Sequence, residues 1–140
     1  MIYKFINGKF HGKGSEFDFD GKRVYRGETI MGMEYGYYEL ISYDDRGIIE
    51  NKVIGQYSGN KEDGKWTEWG GNGQIESEKN YKDGKLDGKK TVWDENGQIE
   101  SDVNYTDDNP VSRTEYSYFE NGQKEYEINQ KYDKEKGNTW

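Results

Sequence analysis

Hydrophobic and polar residues alternate along most of this chain in short runs that glycines separate. In residues 98–103, Ile99 and Val103 point to one side of an extended strand, and Glu100 and Asp102 point to the other. A period of two with polar residues on one side is typical of a half-buried antiparallel strand. No segment shows a helical period. The pattern therefore predicts an all-β chain of roughly ten short strands joined by turns.

One unit is repeated along the chain, and a turn glycine with an aromatic residue four positions before it marks each copy. These pairs are Gly21 with Phe17, Gly47 with Tyr43, Gly73 with Trp69, Gly97 with Trp93, and Gly122 with Tyr118. Such a repeat determines the architecture. We predict a single domain, residues 1–140, with units at about 5–29, 30–56, 57–80, 81–104 and 105–131 and a partial unit at 132–140.

Each unit is predicted to be a β-hairpin with a three-residue loop, which in the fourth unit is residues 95–97. Such a loop is a type I turn followed by a glycine in the left-handed region. The expected pairs are Trp93 with Ile99, Thr91 with Ser101, and Lys89 with Val103. Second turns, such as residues 82–88, would join the hairpins. The predicted fold is an elongated single-layer antiparallel meander of about five stacked hairpins.

Most of the aromatic residues recur at the repeat spacing, which favours a buried spine of the sheet over a groove for peptide or sugar. Trp66, Tyr37 and Tyr38 do not recur. Trp66 lies three residues before Trp69 and hence on the opposite face. Each of these three residues either anchors a protein interface, as an exposed Trp often does, or packs locally against its neighbours. They are candidate partner-binding residues, and both alternatives stay open.

Carboxylates recur at two positions after the turn glycines. The third position holds Glu50, Glu76, Glu100 and Glu125, and the fifth holds Glu78, Asp102 and Glu127. On every second strand they would repeat about every 9–10 Å, close to a Debye length, so their potentials partly add. The prediction is an acidic stripe on one face that steers a basic protein partner. The alternative is a solvated face that Lys65, Lys89 and Lys90 partly neutralise.

Composition narrows the classes of partner and of compartment. The net charge of −8 disfavours nucleic acid and anionic lipid as direct ligands. Only 30% of the residues are apolar but 16% are aromatic, which fits a thin sheet rather than a deep core. No apolar run is long enough for a membrane span, and residues 1–5 lack the pattern of a signal peptide. We expect a cytoplasmic protein, or an exported one if a leader segment has been removed.

Catalytic chemistry is not predicted. The one histidine, His11, stands in a turn where other units have Asp63 or Asp87. The recurring glycines belong to turns, and there is no nucleophile motif or cluster of metal-ligand type. The chain has no cysteine, so a thiolate metal site and a disulfide are both excluded. We predict that the protein is not an enzyme and needs neither a cofactor nor a metal.

The motif Tyr-x-x-Gly-x-x-x-Gly-Lys, followed by Trp-x-x-Asn-Gly-Gln, resembles the MORN repeat in its bacterial variant. The resemblance runs from about Phe5 to the C-terminus and is strongest over residues 57–105, whereas the last full unit has Arg113 in place of the middle glycine. It implies an elongated, twisted sheet of stacked hairpins. Bacterial proteins of this variant are commonly assigned to a YwqK-type antitoxin family, which implies neutralisation of a toxin by direct binding. Other MORN proteins look like scaffolds, and lipid binding has been proposed for the class.

Three classes of function follow from these observations. The first is a non-catalytic antitoxin or immunity protein that occludes a basic protein target with its acidic, aromatic sheet. The second is a scaffold that forms homo-oligomers through its exposed sheet edges or its incomplete last unit. The third is a module that binds carbohydrate or peptide on its aromatic surface.

Overall fold

The protein is a single open antiparallel sheet of sequential hairpins. The structure, a computed structural model, describes residues 4–6, 9–17, 23–30 and 32–132, with the side chains of Ile30 and of residues 32–132. The strands of this part are β1 (Lys4–Ile6), β2 (Lys9–Phe17), β3 (Arg23–Ile30), β4 (Met33–Tyr43), β5 (Ile49–Ser58), β6 (Gly64–Gly70), β7 (Ile75–Lys82), β8 (Lys85–Leu86), β9 (Gly88–Trp93), β10 (Ile99–Thr106), β11 (Asn109–Tyr118) and β12 (Lys124–Lys131). Their order in the sheet follows the chain, except that β8 pairs with β7 beside the main path. The predicted all-β meander is confirmed.

Parts of the predicted pattern lie outside the described residues. Gly21, the turn glycine of the first unit, and residues 133–140 of the partial unit are among them. Phe17 pairs with Val24, and His11 pairs with Lys4. Only the backbone of these strands is described, so the predictions about the Phe17 and His11 side chains also lie outside the described part.

The hairpins along one margin close with the predicted three-residue loop. In the fourth unit, the backbone N–H of Asp94 donates to the Gln98 carbonyl over 2.8 Å, and that of Gly97 donates to the Asp94 carbonyl over 3.0 Å. Gly97 has φ = 76°, a left-handed conformation that an L side chain disfavours. The same pair of bonds closes the loops that end at Gly47, Gly73 and Gly122. The sequence therefore predicts this loop correctly throughout the described part.

The turns along the opposite margin are tighter than predicted. In the segment 82–88, β7 turns directly into the two-residue β8 through Asp83 and Gly84, with φ of 52° and 81°. Two consecutive residues with positive φ form a type I′ turn, whose twist matches that of the flanking strands. Similar pairs of positive φ occur at Gly59 with Asn60 and at Asp107 with Asp108.

A β-bulge follows each three-residue loop and shifts the expected register by one residue. Trp93 pairs with Ile99 as predicted, but the next pairs are Val92 with Ser101, Thr91 with Asp102, and Lys90 with Val103. The predicted pairs of Thr91 with Ser101 and Lys89 with Val103 are therefore wrong. Glu100 is the extra residue, and the same shift makes Glu50, Glu76 and Glu125 the extra residues of their hairpins. A bulge of this kind breaks the alternation of side chains along the strand.

The core lies on the face of the sheet opposite the predicted spine. Trp66, 9% exposed, is the one buried hydrophobic residue among those described. Its ring lies 5.1 to 6.2 Å from the rings of Tyr38, Tyr57 and Tyr81, and its indole N–H donates to the Gln56 carbonyl over 3.2 Å. The spine residues of the described part, Tyr43, Trp69, Trp93 and Tyr118, are only half-buried. The prediction that the spine forms the buried core is wrong.

Candidate functional site

The two faces of the sheet can be followed from strand to strand, because directly paired residues share a face. We call them the Trp66 face and the Trp69 face, after two residues of β6 that point in opposite directions. The Trp66 face runs through the paired residues Glu68, Ser77, Val92, Ser101 and Glu115. The Trp69 face runs through Thr67, Glu78, Thr91, Asp102 and Thr114.

The predicted carboxylate stripe is divided between these faces. Glu78 and Asp102, from the fifth position, lie on the Trp69 face. Glu76, from the third position, lies beside Gly70 on the Trp66 face, where a Cβ on that glycine would be 2.2 Å from the Glu76 carboxylate. Glu125 also reaches the Trp66 face, since it accepts a hydrogen bond from the Ser117 hydroxyl over 3.0 Å. The expectation of one shared face is wrong, because the third-position residue is itself the bulge residue and the alternation of side chains is broken there.

Lysines neutralise the fifth-position carboxylates. Lys65 pairs with Glu78 over 3.1 Å, Lys89 with Asp102 over 2.6 Å, and Lys124 with Glu127 over 2.9 Å. For these three carboxylates, the structure therefore agrees with the alternative of a solvated face that lysines partly neutralise. They contribute little net potential on the Trp69 face.

Asp102 is a buried charge with a complete set of partners. The residue is 6% exposed, and its carboxylate accepts hydrogen bonds from the Thr91 hydroxyl over 2.6 Å and from the Tyr116 hydroxyl over 3.2 Å. Burial acts to raise the pKa of Asp102, but the hydrogen bonds from Lys89 and Thr91 outweigh it and leave the pKa below its ordinary value. These contacts give Asp102 a structural role that joins three strands.

The third-position carboxylates lie in the open. Glu50, Glu76 and Glu100 are exposed and form no ion pair within the described part of the chain. They stand beside the three-residue loops, whose own acidic residues add to them. We define the acidic margin as the loops with their flanking residues, 44–50, 70–76, 94–100 and 119–125.

Almost the whole net charge of the protein is concentrated on this margin. Its four segments carry nine carboxylates and two basic side chains, a net charge of −7 out of −8 for the chain. The opposite margin, residues 58–65, 82–89 and 106–113, carries six acidic and six basic side chains and is neutral. The strand-based prediction missed the loop residues Asp45, Glu95 and Glu120. Counting charge by turn type would have found this asymmetry in the sequence.

Clefts separate successive loops of the acidic margin. The first, which we call the Trp93 cleft, lies between the loops of residues 70–76 and 94–100. Trp93 and Ile75 form its apolar lining, and Glu76 and Glu95 are among its acidic residues. The second lies between the loops of residues 94–100 and 119–125. Tyr118, Phe119, Asp94 and Glu120 are among its lining residues. Each cleft thus combines a spine aromatic with carboxylates.

The non-repeating aromatic residues lie away from these clefts. Trp66 and Tyr38 pack against each other with ring centroids 5.2 Å apart, so local packing accounts for both. Tyr37 pairs with Gln56 and is 46% exposed on the Trp69 face. The structure therefore separates the ten candidate residues into a packed aromatic pair, an exposed tyrosine, three lysine-paired carboxylates and four bulge carboxylates.

The described residues contain no group of three His, Asp or Glu side chains placed to hold a metal ion. Within the same part of the chain, no helix has the length and apolar character needed to cross a membrane.

Two adjacent segments match a known repeat family. Residues 62–83 and 86–107 each match the MORN repeat variant. The first matched segment contains β6 and β7, and the second contains β9 and β10. The Trp93 cleft therefore lies between the two matched segments. The match indicates a repeat-type binding module and agrees with the hairpin architecture.

Comparison with solved structures finds weak similarity to TarM. One is a crystal structure of a mutant of S. aureus TarM in complex with fondaparinux, α-GlcNAc-glycerol and UDP, and another is a crystal structure of TarM. Both have 14% identity and a TM-score of 0.44, and they cover 80% and 72% of this chain. The chain spans about a fifth of the length of those proteins. No curated protein matches the chain.

Proposed function

We propose that this protein is a non-catalytic MORN-type repeat module that binds a basic protein target and occludes it, as an antitoxin or immunity protein does. The observation that carries the proposal is the acidic margin, with a net charge of −7 on four neighbouring segments. A ridge of like charge raises the association rate with a basic partner and suppresses acidic ones. The neutral opposite margin gives the complex a defined orientation.

The backbone of the loops supports this role because it holds the margin in place. Each loop in the described part is closed by two backbone hydrogen bonds of 2.8 to 3.0 Å. The Asp94 carboxylate adds bonds to the backbone N–H groups of Asn96 and Gln98. A surface that is ordered before binding loses less conformational entropy in the complex.

The experiment begins with the protein that co-purifies with this chain or is encoded beside it. If that protein arrests growth when expressed alone, co-expression of this chain should restore growth. Combined charge reversal of Glu76, Glu100 and Glu125 to Lys should weaken the complex and abolish protection. Asp63→Lys, at an exposed position of the neutral margin, should weaken it less than Glu100→Lys. Equal effects of the two single changes would exclude the acidic margin as the binding surface.

The edge of the sheet favours one alternative, a scaffold that assembles through β12. Within the described residues β12 pairs only with β11, and its Tyr126 and Ile128 are 51% and 43% exposed. An open edge with exposed apolar residues is a template for pairing with another chain. Sedimentation velocity over a range of concentrations distinguishes the two functions. A scaffold should form oligomers that Ile128→Lys dissociates, whereas an occluding module should stay monomeric.

A further inference from the structure

The sheet holds two of its own lysines between an aromatic ring and a carboxylate. The Lys52 ammonium lies 5.8 Å from the centre of the Trp69 ring and 3.1 Å from the Glu39 carboxylate. The Lys124 ammonium lies 4.7 Å from the centre of the Tyr116 ring and 2.9 Å from the Glu127 carboxylate. A cation over an aromatic face is attracted by the ring quadrupole, and the carboxylate adds an ion pair.

Trp93 has the ring and the carboxylates of this arrangement without the lysine. It occupies the position in its MORN repeat that Trp69 occupies in the preceding repeat. Its cleft is lined by Asn72, Gln74, Ile75, Glu76, Val92, Trp93, Asp94 and Glu95, none of which is basic. Among the described residues no cation lies over the Trp93 ring, and Glu76 and Glu95 form no ion pair.

We propose that the Trp93 cleft seats one lysine or arginine side chain of a basic polypeptide segment. The cationic group lies over the indole and pairs with Glu95 and with Glu76, which reaches the same cleft from the Trp66 face. The aliphatic stem of the side chain packs against Ile75. This inference rests on the proposed function, because it names the part of the protein partner that the acidic margin receives. The occupant is a polypeptide, since the carboxylates of the neighbouring loops continue on both sides of the cleft and complement further basic residues.

The spacing of the margin sets the geometry of the segment. Successive loops belong to hairpins two strands apart, about 9–10 Å. A polypeptide in the polyproline II conformation advances about 3.1 Å per residue with three residues per turn, so every third side chain would lie on the same side and meet the next cleft. The second cleft, with Tyr118 and Glu120, offers a neighbouring site of the same kind. A basic residue at every third position of a polyproline II segment fits both clefts at once.

The test uses hexa-arginine and hexa-lysine peptides with the intact protein. In a ¹⁵N-labelled sample the indole N–H signal of Trp93 should move most during titration, and that of Trp66, buried on the other face, should stay in place. The double variant Glu76→Gln with Glu95→Gln should weaken peptide binding by about tenfold, since two partly exposed ion pairs are lost. Both residues are exposed, so the fold should be retained.

The matched control is Asp63→Asn with Asp83→Asn, which makes the same change of net charge on the neutral margin. Both residues are exposed and make no ion pair within the described part. This variant should bind the peptides within about twofold of the unaltered protein, since only a screened field is changed. Equal weakening by the two double variants, or a Trp93 signal that does not move, would overturn the proposal.

Two further outcomes distinguish a failure of the proposed polypeptide occupant from a failure of the proposed function. If spermine shifts the Trp93 signal as strongly and binds as tightly as the peptides, the cleft is a small-cation site and the polypeptide occupant is wrong. If a protein partner binds and Glu76→Gln with Glu95→Gln leaves its affinity unchanged, the cleft proposal fails and the proposed function stands. If this double variant loses affinity for both the peptides and the protein partner, the cleft proposal and the proposed function are supported together.

Discussion

At Gly55 the backbone of β5 passes directly beneath the indole of Trp66. A Cβ at this position would lie 2.1 Å from the indole Cδ2 and 2.3 Å from Cε2, far inside van der Waals contact. The glycine thus makes the room in which the one buried tryptophan of the described part sits. Burial also raises the pKa of Tyr57, beside the same ring, to about 12, with the charge of Glu62 adding to the effect.

Gly55→Ala should destabilise the protein by about 1–3 kcal/mol, because the added methyl group forces the indole out of its place. Urea denaturation followed by tryptophan fluorescence measures the loss. Trp66→Leu removes the ring that the added methyl group would strike. Trp66→Leu should therefore cost less stability in the Gly55→Ala background than it does alone. Additive losses in this cycle would show that the two residues do not share the space.

The stabilising contribution of Asp102 depends on pH, and the contacts of its carboxylate determine the direction of that dependence. Its folded pKa is lowered, so its stabilising contribution is present above the ordinary value of 3.8 and is lost as the pH falls through the lowered pKa. Asp102→Asn should therefore cost about 1–3 kcal/mol at pH 7, and the two proteins should converge below pH 3.8. Urea denaturation from pH 7 to pH 2 tests this.

Glu100→Gln, at an exposed carboxylate with no ion pair in the described part of the chain, is the control and should change stability by less than about 0.5 kcal/mol. A difference between Asp102→Asn and the unaltered protein that persists undiminished at the lowest pH would contradict the assigned pKa direction.

At the scale of the hairpin, the loop was predictable and the bulge was not. A glycine four residues after an aromatic, in unit after unit, indicates a backbone that needs positive φ, and Gly97 adopts it. The bulge leaves no such mark, because Glu100 looks like an ordinary polar residue in an alternating strand. Because the third-position residue is the bulge residue, Glu76 and Glu125 lie on the Trp66 face, away from the fifth-position carboxylates.

The prediction that the aromatic spine is the buried core is wrong for a related reason. Repeat spacing shows which aromatics are equivalent but not which face is covered, and the ring packing of Trp66 depends on the single glycine opposite it at Gly55. A residue that does not recur can therefore be the best buried one. Its packing partners, Tyr57 and Tyr81, do recur, and their repeat spacing predicts the packing role that the structure shows for them.

Gly97→Ala should destabilise the protein by about 1–2 kcal/mol, the cost of placing an L residue in the left-handed region. Asn96→Ala is the matched control from the same loop, since Asn96 does not adopt positive φ. Its side chain is exposed, so this change should cost less than about 0.5 kcal/mol. Thermal unfolding followed by circular dichroism compares the two, and equal losses would contradict the backbone argument.

At the scale of the whole molecule, the sheet is a stack of hairpins in which each strand contacts its immediate neighbours. Contacts beyond adjacent strands are few in the described part, and burial is concentrated around Trp66 on β6. The stability of such an assembly approximates a sum of local units and their interfaces. Unfolding of the sheet should therefore begin locally. It should be easiest at the strands that have the fewest neighbouring strands.

Amide hydrogen exchange should show this gradient along the chain. The amides of β6, β7, β9 and β10 should be the most protected, because these strands have neighbours on both sides and flank or carry the buried side chains of the core and of Asp102. Those of β12, whose residues are nearly all exposed, should exchange fastest among the strands from β4 onward. Mass spectrometry of peptides after timed deuteration measures the order. Uniform protection from β4 to β12 would show that the sheet opens as one cooperative unit. If β12 alone departs from the expected order and exchanges slowly, its edge is paired in solution, as the scaffold alternative requires.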